Sequence, residues 1–91
     1  MPTFDWDPPK SEQNARKHGV RFEEAQTIFF DSYVQIGYDD RHSANEDRFV
    51  AIGRSAHGRC LVVVHVYREE EVIRLISARK ATRHEQDRYE D

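Results

Sequence analysis

The chain has 91 residues, of which 37% are hydrophobic, 34% are charged and one is a cysteine, and its formal net charge is −3. This length allows one domain with a single core, and one cysteine excludes an internal disulfide and suits a reducing compartment. No segment approaches the roughly 20 apolar residues of a membrane span, and the polar N-terminus does not look like a signal peptide. We therefore expect a single cytoplasmic domain over residues 1–91.

The two halves of the chain differ in charge. Residues 1–47 carry 5 basic and 10 acidic side chains, whereas residues 48–91 carry 9 basic and 7 acidic ones. Such asymmetry indicates an uneven distribution of charge on the surface, which would orient a charged partner. A phosphate-binding patch on an acidic protein would bind loosely and lose affinity steeply with salt.

Two short helices are predicted in the N-terminal third. Asp7 before two prolines is typical of a helix start, and this helix would end at residue 17 or 18, with Gly19 as its left-handed stop. A second helix is expected at about Phe22–Phe30, because its apolar residues form one stripe at helical spacing that would face the core. The stripe consists of Phe22, Ala25, Ile28 and Phe29.

Four strands and a final helix are predicted in the rest of the chain. The strands are Tyr33–Tyr38, Arg48–Arg54, Cys60–Tyr67 and Val72–Ala78. Residues 39–47 form a polar loop, residues 55–58 a turn, and Glu69–Glu71 closes a hairpin. Thr82 and Glu85 have the spacing of a capping box, which starts the last helix.

This order of elements predicts an α+β fold with two N-terminal helices, a four-stranded antiparallel sheet and a C-terminal helix. Phe4–Trp6 alternates apolar and polar residues, which indicates a short edge strand or an anchoring segment. Within the third strand, Val62, Val64 and Val66 share a face that we expect to be fully buried. The opposite face, which carries His65, is expected to be mixed.

Basic residues gather around the last strand, and no acidic residue lies between Val72 and Arg83. RNA cleavage without a metal uses the 2′-hydroxyl of the substrate as nucleophile, so the protein must align it, neutralise the phosphate and assist proton transfer. Arginine suits the phosphate, and histidine, lysine or tyrosine can move the proton. The residues that could converge for this chemistry are His65, Arg74, Arg79, Lys80, Arg83 and Tyr89.

Each of these residues also has a structural interpretation. Arg74 could be the cross-strand partner of a glutamate, Arg83 could pair with Asp87 at i+4, Tyr89 could pack on the sheet, and His65 could be structural. Arg79 and Lys80 favour a functional role because no acidic residue lies nearby in sequence. The loop residues Asp39, Asp40, His42 and Glu46 match no metal-ligand spacing, so no metal or other cofactor is expected.

Several segments together resemble the BrnT toxins of bacterial type II toxin–antitoxin systems, small ribonucleases with a RelE-like fold. They are FDWDPPK at Phe4–Lys10, N-x-x-KHGV at Asn14–Val20, FEEA at Phe22–Ala25, RFVAIGRS at Arg48–Ser55, GRCLVVV at Gly58–Val64, and RLISARKAT with E-x-x-x-YE at Arg74–Glu90. Their order and spacing across about 85 residues make the resemblance specific.

The resemblance implies a metal-independent endoribonuclease that stalls translation until it is bound by a BrnA-like antitoxin. That antitoxin would carry a ribbon-helix-helix DNA-binding part, so operator DNA would be contacted only through it, and no membrane is involved. The catalytic residues would be Arg79, Lys80 and Tyr89 by resemblance, with His65 added from the residue pattern. The substrate-binding residues would be Arg54, less firmly matched, with Arg74 and Arg83. The alternative is a non-catalytic binding module whose basic patch docks and regulates a DNA-binding protein.

Overall fold

The computed structural model describes residues 2–69 and 71–91. The strands are β1 (Thr3–Asp5), β2 (Gln35–Tyr38), β3 (Phe49–Arg54), β4 (Cys60–Tyr67) and β5 (Val72–Lys80). The α-helices are α1 (Pro8–His18), α2 (Phe22–Ala25) and α3 (Arg83–Glu90), and 3₁₀ turns occupy Gln26–Phe30 and Asp40–His42. Of the predicted hairpin at Glu69–Glu71, Glu70 lies outside the described residues.

The sheet has five strands in the order β1-β5-β4-β3-β2, and it is mixed. β2 to β5 pair antiparallel as neighbours, but β1 pairs in parallel with β5, with Phe4 opposite Ile73 and Asp5 opposite Arg74. The prediction of a four-stranded antiparallel sheet was therefore wrong in strand number and in the direction of one pair. The α+β class and the final helix are confirmed. The second predicted helix is α-helical only to Ala25 and continues as a 3₁₀ turn.

Asn14 joins α1 to the sheet. The side-chain amide donates to the carbonyl oxygens of Val20 and Ala78, both at 2.8 Å, and its Oδ1 accepts from the Ala78 amide at 3.1 Å. Since β1 pairs only with the start of β5, Asn14 supplies the hydrogen bonds that a neighbouring strand would otherwise give to Ala78. α1 ends as predicted, at Gly19 with φ 71°.

The core lies between the sheet and the α1–α2 segment. Phe22, Ala25 and Ile28 are fully buried, as the predicted stripe requires. The sheet face beneath them carries the odd-numbered residues of β4, including Leu61, Val63 and the fully buried His65. On the opposite face Val62 and Val66 are also buried and Val64 is partly buried, so the expectation of one fully buried face and one mixed face holds only in part. Both faces of β4 are rich in apolar residues, so alternation could not tell them apart.

α3 packs on the opposite sheet face, which we call the α3 face. Its capping box is present, with the Thr82 hydroxyl accepting from the Glu85 amide at 3.1 Å and the Glu85 carboxylate accepting from the Thr82 amide at 2.8 Å. Both N-terminal helices lie on the core side, so α3 alone borders the α3 face among the helices of the described residues.

Candidate functional site

A row of directly paired residues crosses four strands of the α3 face. Gln35 of β2 lies opposite Ile52 of β3, Ile52 opposite Val62 of β4, and Val62 opposite Arg79 of β5. Residues directly opposite each other on neighbouring strands point to the same face of the sheet, so these four side chains share one face. The row therefore has an apolar middle, an amide at one end and a guanidinium at the other.

Arg79 is bound to α3. Its Nη1 and Nη2 donate to Glu85 Oε1 and Oε2 at 2.7 and 2.8 Å, which is a bidentate ion pair. The hydrogen bonds from Arg79 lower the pKa of Glu85 to about 2, against the opposing effect of burial. The expectation that Arg79 has no acidic neighbour was wrong, because the turn at Ala81–Thr82 brings Glu85 back over the strand end.

Arg54 and Tyr89 lie side by side where the C-terminal end of α3 meets β3. The guanidinium carbon of Arg54 lies 5.8 Å from the centroid of the Tyr89 ring, and its Nη2 donates to Glu90 Oε2 at 2.8 Å. The backbone amide of Arg54 donates to Asp31 Oδ2 at 2.8 Å, and the Tyr89 hydroxyl donates to the same oxygen. Asp31 therefore ties the 3₁₀ turn, β3 and α3 together.

The environment of Tyr89 determines which way it can move a proton. Burial raises its pKa to about 12, helped by the hydrogen bond to Asp31 and the charge of that carboxylate. Tyr89 therefore keeps its proton at neutral pH and can act as a donor, not as a base.

The remaining basic candidates do not join this cluster. Arg74 pairs with Asp5 at the β1–β5 edge and lies five positions from Arg79, which in a strand is about 16 Å. Arg83 forms an i,i+4 pair with Asp87 at 3.7 Å, and its side chain is 91% exposed. Lys80 is exposed and follows Arg79 directly, so it projects from the opposite sheet face.

His65 lies in the core and has no exposed surface. Its Nδ1 is 3.4 Å from the Val63 carbonyl oxygen and its Nε2 is 3.2 Å from the Tyr67 hydroxyl. Burial lowers its pKa, so the ring is held neutral. Because it is buried on the core side of the sheet, it cannot contact a substrate on the α3 face. The structure therefore favours the structural interpretation of His65 over the catalytic one. The structure thus brings together Arg54 and Tyr89, places Arg79 on the same face at the other end of α3, and separates them from Arg74, Lys80, Arg83 and His65.

Two residues of the site, Arg88 and Gln35, were not predicted from the sequence. Arg88 is exposed, borders the α3 face, and has no carboxylate within 4.0 Å among residues 2–69 and 71–91. Glu85, Arg88 and Tyr89 lie at i, i+3 and i+4, the spacing of one helix face. That spacing was a usable signal for Arg88. Gln35 had none, because its role depends on the pairing of β2 with β3.

Two grooves meet at Tyr89. One, of about 230 Å³, is lined by Gln35, Val50, Ile52, Val62, Glu85, Arg88 and Tyr89. The other, of about 440 Å³, is lined by Tyr33, Gln35, Arg54, Tyr89, Glu90 and Asp91. Tyr89 and Gln35 belong to both, so a ligand spanning the two grooves would pass over these two side chains.

Neither a metal centre nor a membrane span is found in the part of the chain that the structure describes. There, no three His, Cys, Asp or Glu side chains come together as possible metal ligands. None of the described helices is long and apolar enough to cross a bilayer.

Comparison with protein families matches residues 6–85 to the family described as the ribonuclease toxin, BrnT, of type II toxin-antitoxin systems. The chain belongs to the BrnT family. Among solved structures, the crystal structure of the Brucella abortus ribonuclease toxin BrnT is similar, with a TM-score of 0.69. The two are 24% identical, and the likeness covers 91% of this chain and 100% of that one. A search of curated proteins finds no match.

Membership in the BrnT family confirms the resemblance noted from the sequence, and the solved structure confirms the α+β class of the fold. A ribonuclease toxin of a type II system has an RNA substrate and an antitoxin partner. The α3 face, with Arg54, Arg88 and Tyr89 around two grooves, is the candidate site for that substrate.

Proposed function

We propose that this BrnT family member is a metal-independent endoribonuclease that cleaves RNA and thereby inhibits translation. Its family supports the class of reaction. The observation that carries the choice of site is the pairing of Arg54 with Tyr89, whose guanidinium and ring lie 5.8 Å apart between two grooves. We assign the reacting phosphate to this position, because it combines a fixed cation with a hydroxyl that keeps its proton.

In the proposed reaction, the 2′-oxygen of the substrate attacks the adjacent phosphorus. The bond to the 5′-oxygen breaks, which leaves a 2′,3′-cyclic phosphate and a 5′-hydroxyl. Arg54 and Arg88 neutralise the charge that develops on the phosphate oxygens. Tyr89 gives a proton to the departing 5′-oxygen, and the proton of the 2′-hydroxyl passes to solvent. Apart from solvent, this scheme uses side chains alone.

The other predicted residues have indirect roles in this proposal. Arg79 positions α3 through Glu85 and so fixes Arg88 and Tyr89 over the sheet. Arg74, Lys80 and Arg83 are too far from Tyr89, or point elsewhere, to reach the same phosphate. We assign them contacts with flanking phosphates of a longer RNA.

Carboxylates already occupy two of the arginines of this face, Arg54 and Arg79. Glu90 neutralises Arg54 and Glu85 neutralises Arg79, each through a hydrogen bond of 2.7 or 2.8 Å. RNA phosphates must compete with these carboxylates, so we expect weak binding that falls steeply with salt. If a larger assembly held the RNA in place, the low affinity of the toxin for free RNA would not prevent cleavage.

We further propose that a BrnA-like antitoxin with a ribbon-helix-helix DNA-binding part neutralises the toxin. The antitoxin would cover the α3 face or adjoin it, and operator DNA would be contacted through the antitoxin alone. The support is the family, whose members work in type II toxin–antitoxin systems.

One observation favours the alternative, a binding module without catalysis. The Tyr89 hydroxyl donates its hydrogen bond to the Asp31 carboxylate, so its proton is not directed at a leaving oxygen. In that case the arginines and grooves would serve to bind the antitoxin.

The deciding experiment is incubation of the purified chain with RNA in excess EDTA, followed by mapping of the new ends. The proposal predicts ends with 2′,3′-cyclic phosphate or 3′-phosphate, and a loss of about 10²-fold or more for Arg54→Gln. Arg16→Gln, an exposed change on α1 at the other side of the sheet, is the matched control. Intact RNA with the folded wild-type chain would favour the binding module.

A further inference from the structure

The smaller groove on the α3 face has the features of a binding slot for one flat ring. Its floor consists of the aliphatic side chains of Val50, Ile52 and Val62, which come from two adjacent strands. Tyr89 forms one wall, and the hydrogen bond to Asp31 and the contact with Arg54 hold its ring in place. At about 230 Å³ the groove has room for a single nucleobase.

The polar groups of the groove lie at its rim. Among residues 2–69 and 71–91, the Gln35 side chain makes one hydrogen bond, a long one from Nε2 to the Tyr89 carbonyl oxygen at 3.4 Å, so most of its hydrogen-bonding capacity is free. Arg88 has no acidic partner within the described residues. Glu85, by contrast, already accepts from both Arg79 nitrogens and from the Thr82 amide. The groups available to a ligand are therefore an amide and a guanidinium.

These two groups suit purines. Glutamine matches the N6 and N7 positions of adenine, and arginine matches the O6 and N7 positions of guanine. The typical base contacts of these two side chains are thus both with purines, whereas the exocyclic amine of cytosine typically pairs with a carboxylate, and Glu85 is occupied. The aliphatic floor adds apolar contact, and single-stranded RNA is recognised through unstacked bases of this kind.

We propose that this groove binds one purine base of the RNA, next to the phosphate that Arg54 contacts. The base lies on Val50, Ile52 and Val62, with Gln35 and Arg88 at its N7 edge. This proposal rests on the function proposed above, since it makes the groove the specificity subsite of the same reaction.

The test is a titration of the chain with the four ribonucleoside 3′-monophosphates, followed by amide chemical shifts. Adenosine and guanosine monophosphates should bind at least fivefold more tightly than the pyrimidine nucleotides and shift the amides of β2, β3 and α3. Gln35→Leu should abolish that preference. Gln13→Leu, the same change at an exposed site on α1, should leave it intact. Equal affinity for all four nucleotides, or a preference that survives Gln35→Leu, would overturn the proposal.

Cleavage of a random RNA pool separates this inference from the proposed function. If RNA is cut next to purines by the wild type and next to any base by Gln35→Leu, both hold. If the wild type and Gln35→Leu cut RNA with the same base preference, the purine slot is refuted and the nuclease remains. If RNA stays intact but purine nucleotides bind in a Gln35-dependent way, the nuclease is refuted and the slot remains.

Discussion

Arg79 of β5 and Glu85 of α3 form a two-pronged ion pair, with hydrogen bonds of 2.7 and 2.8 Å. The same carboxylate accepts the Thr82 amide at 2.8 Å, so it both caps α3 and ties it to the sheet. Bidentate arginine–carboxylate pairs fix orientation as well as distance. This pair therefore fixes the N-terminal end of α3 on the sheet, while the contacts of Glu90 and Tyr89 with Arg54 and Asp31 hold its C-terminal end.

A double-mutant cycle at this pair should reveal strong coupling. Arg79→Gln and Glu85→Gln should each lower the free energy of unfolding by about 1 kcal/mol, a value limited by partial exposure of both side chains. The double variant should cost little more than either single change, because the shared interaction is lost only once. Urea denaturation measures all three. Additive losses would mean that the two side chains stabilise the chain independently.

Removing the carboxylate that neutralises Arg54 should strengthen RNA binding. In Glu90→Gln, Arg54 loses a charged partner at 2.8 Å, so we expect a several-fold higher affinity for single-stranded RNA at low salt. Arg54→Gln should weaken binding and reduce the slope of log affinity against log salt by about one. Fluorescence anisotropy at several salt concentrations measures both quantities.

The matched control for this change is Glu12→Gln. Glu12 pairs with Arg21 at 3.1 Å on the other side of the sheet, so the variant alters net charge equally without freeing a cation of the α3 face. An equal gain in affinity for both variants would show that only the net charge of the protein matters.

Asn14 should be a large contributor to stability. Asn14→Ala removes three hydrogen bonds and leaves both backbone groups of Ala78 without a partner in a buried place. We expect the free energy of unfolding to fall by about 3 kcal/mol, since each orphaned buried group costs about 1–3 kcal/mol. Thermal and urea denaturation check this. Gln13→Ala, the exposed neighbour on α1, should change stability by less than about 0.5 kcal/mol.

Local features of the fold could be predicted from the sequence because they depend on near neighbours. The bounds of α1 follow from its prolines and Gly19, and the start of α3 follows from Thr82 and Glu85. The place of β1 could not be predicted in this way. Its partner β5 lies about 70 residues away in the chain, and three residues carry too little pattern to specify a parallel pair.

The candidate site was predictable in composition but not in arrangement. Arg54, Arg79 and Tyr89 were identified, whereas their carboxylate partners Glu85, Glu90 and Asp31 were not. Two of the three links span 36 and 58 positions of the chain, and the periodicity of apolar residues carries no information about such distant pairs. His65 was misjudged for a related reason, because apolar residues on both faces of β4 hid which face meets the helices.

His65 should make the fold sensitive to mild acid. The ring is buried beside Phe29, Phe49 and Tyr67, with centroids 4.9, 6.1 and 5.1 Å away. Burial lowers its pKa below the ordinary value of 6.5, so between the two values the unfolded chain binds a proton that the folded chain does not. Stability is therefore highest above about pH 6.5 and falls as the pH drops toward the folded pKa.

His65→Phe tests this pH dependence of stability, and it also tests whether His65 takes part in catalysis. Phenylalanine keeps the aromatic packing and removes the titrating group, at the cost of the 3.2 Å hydrogen bond to the Tyr67 hydroxyl. Between pH 7.5 and 5, the melting temperature of the wild type should fall further than that of the variant, by circular dichroism. The other histidines are present in both proteins, so their effect on the melting temperature cancels in the comparison. RNA cleavage at pH 7.5 should persist in the folded variant, and its loss would return His65 to the catalytic residues.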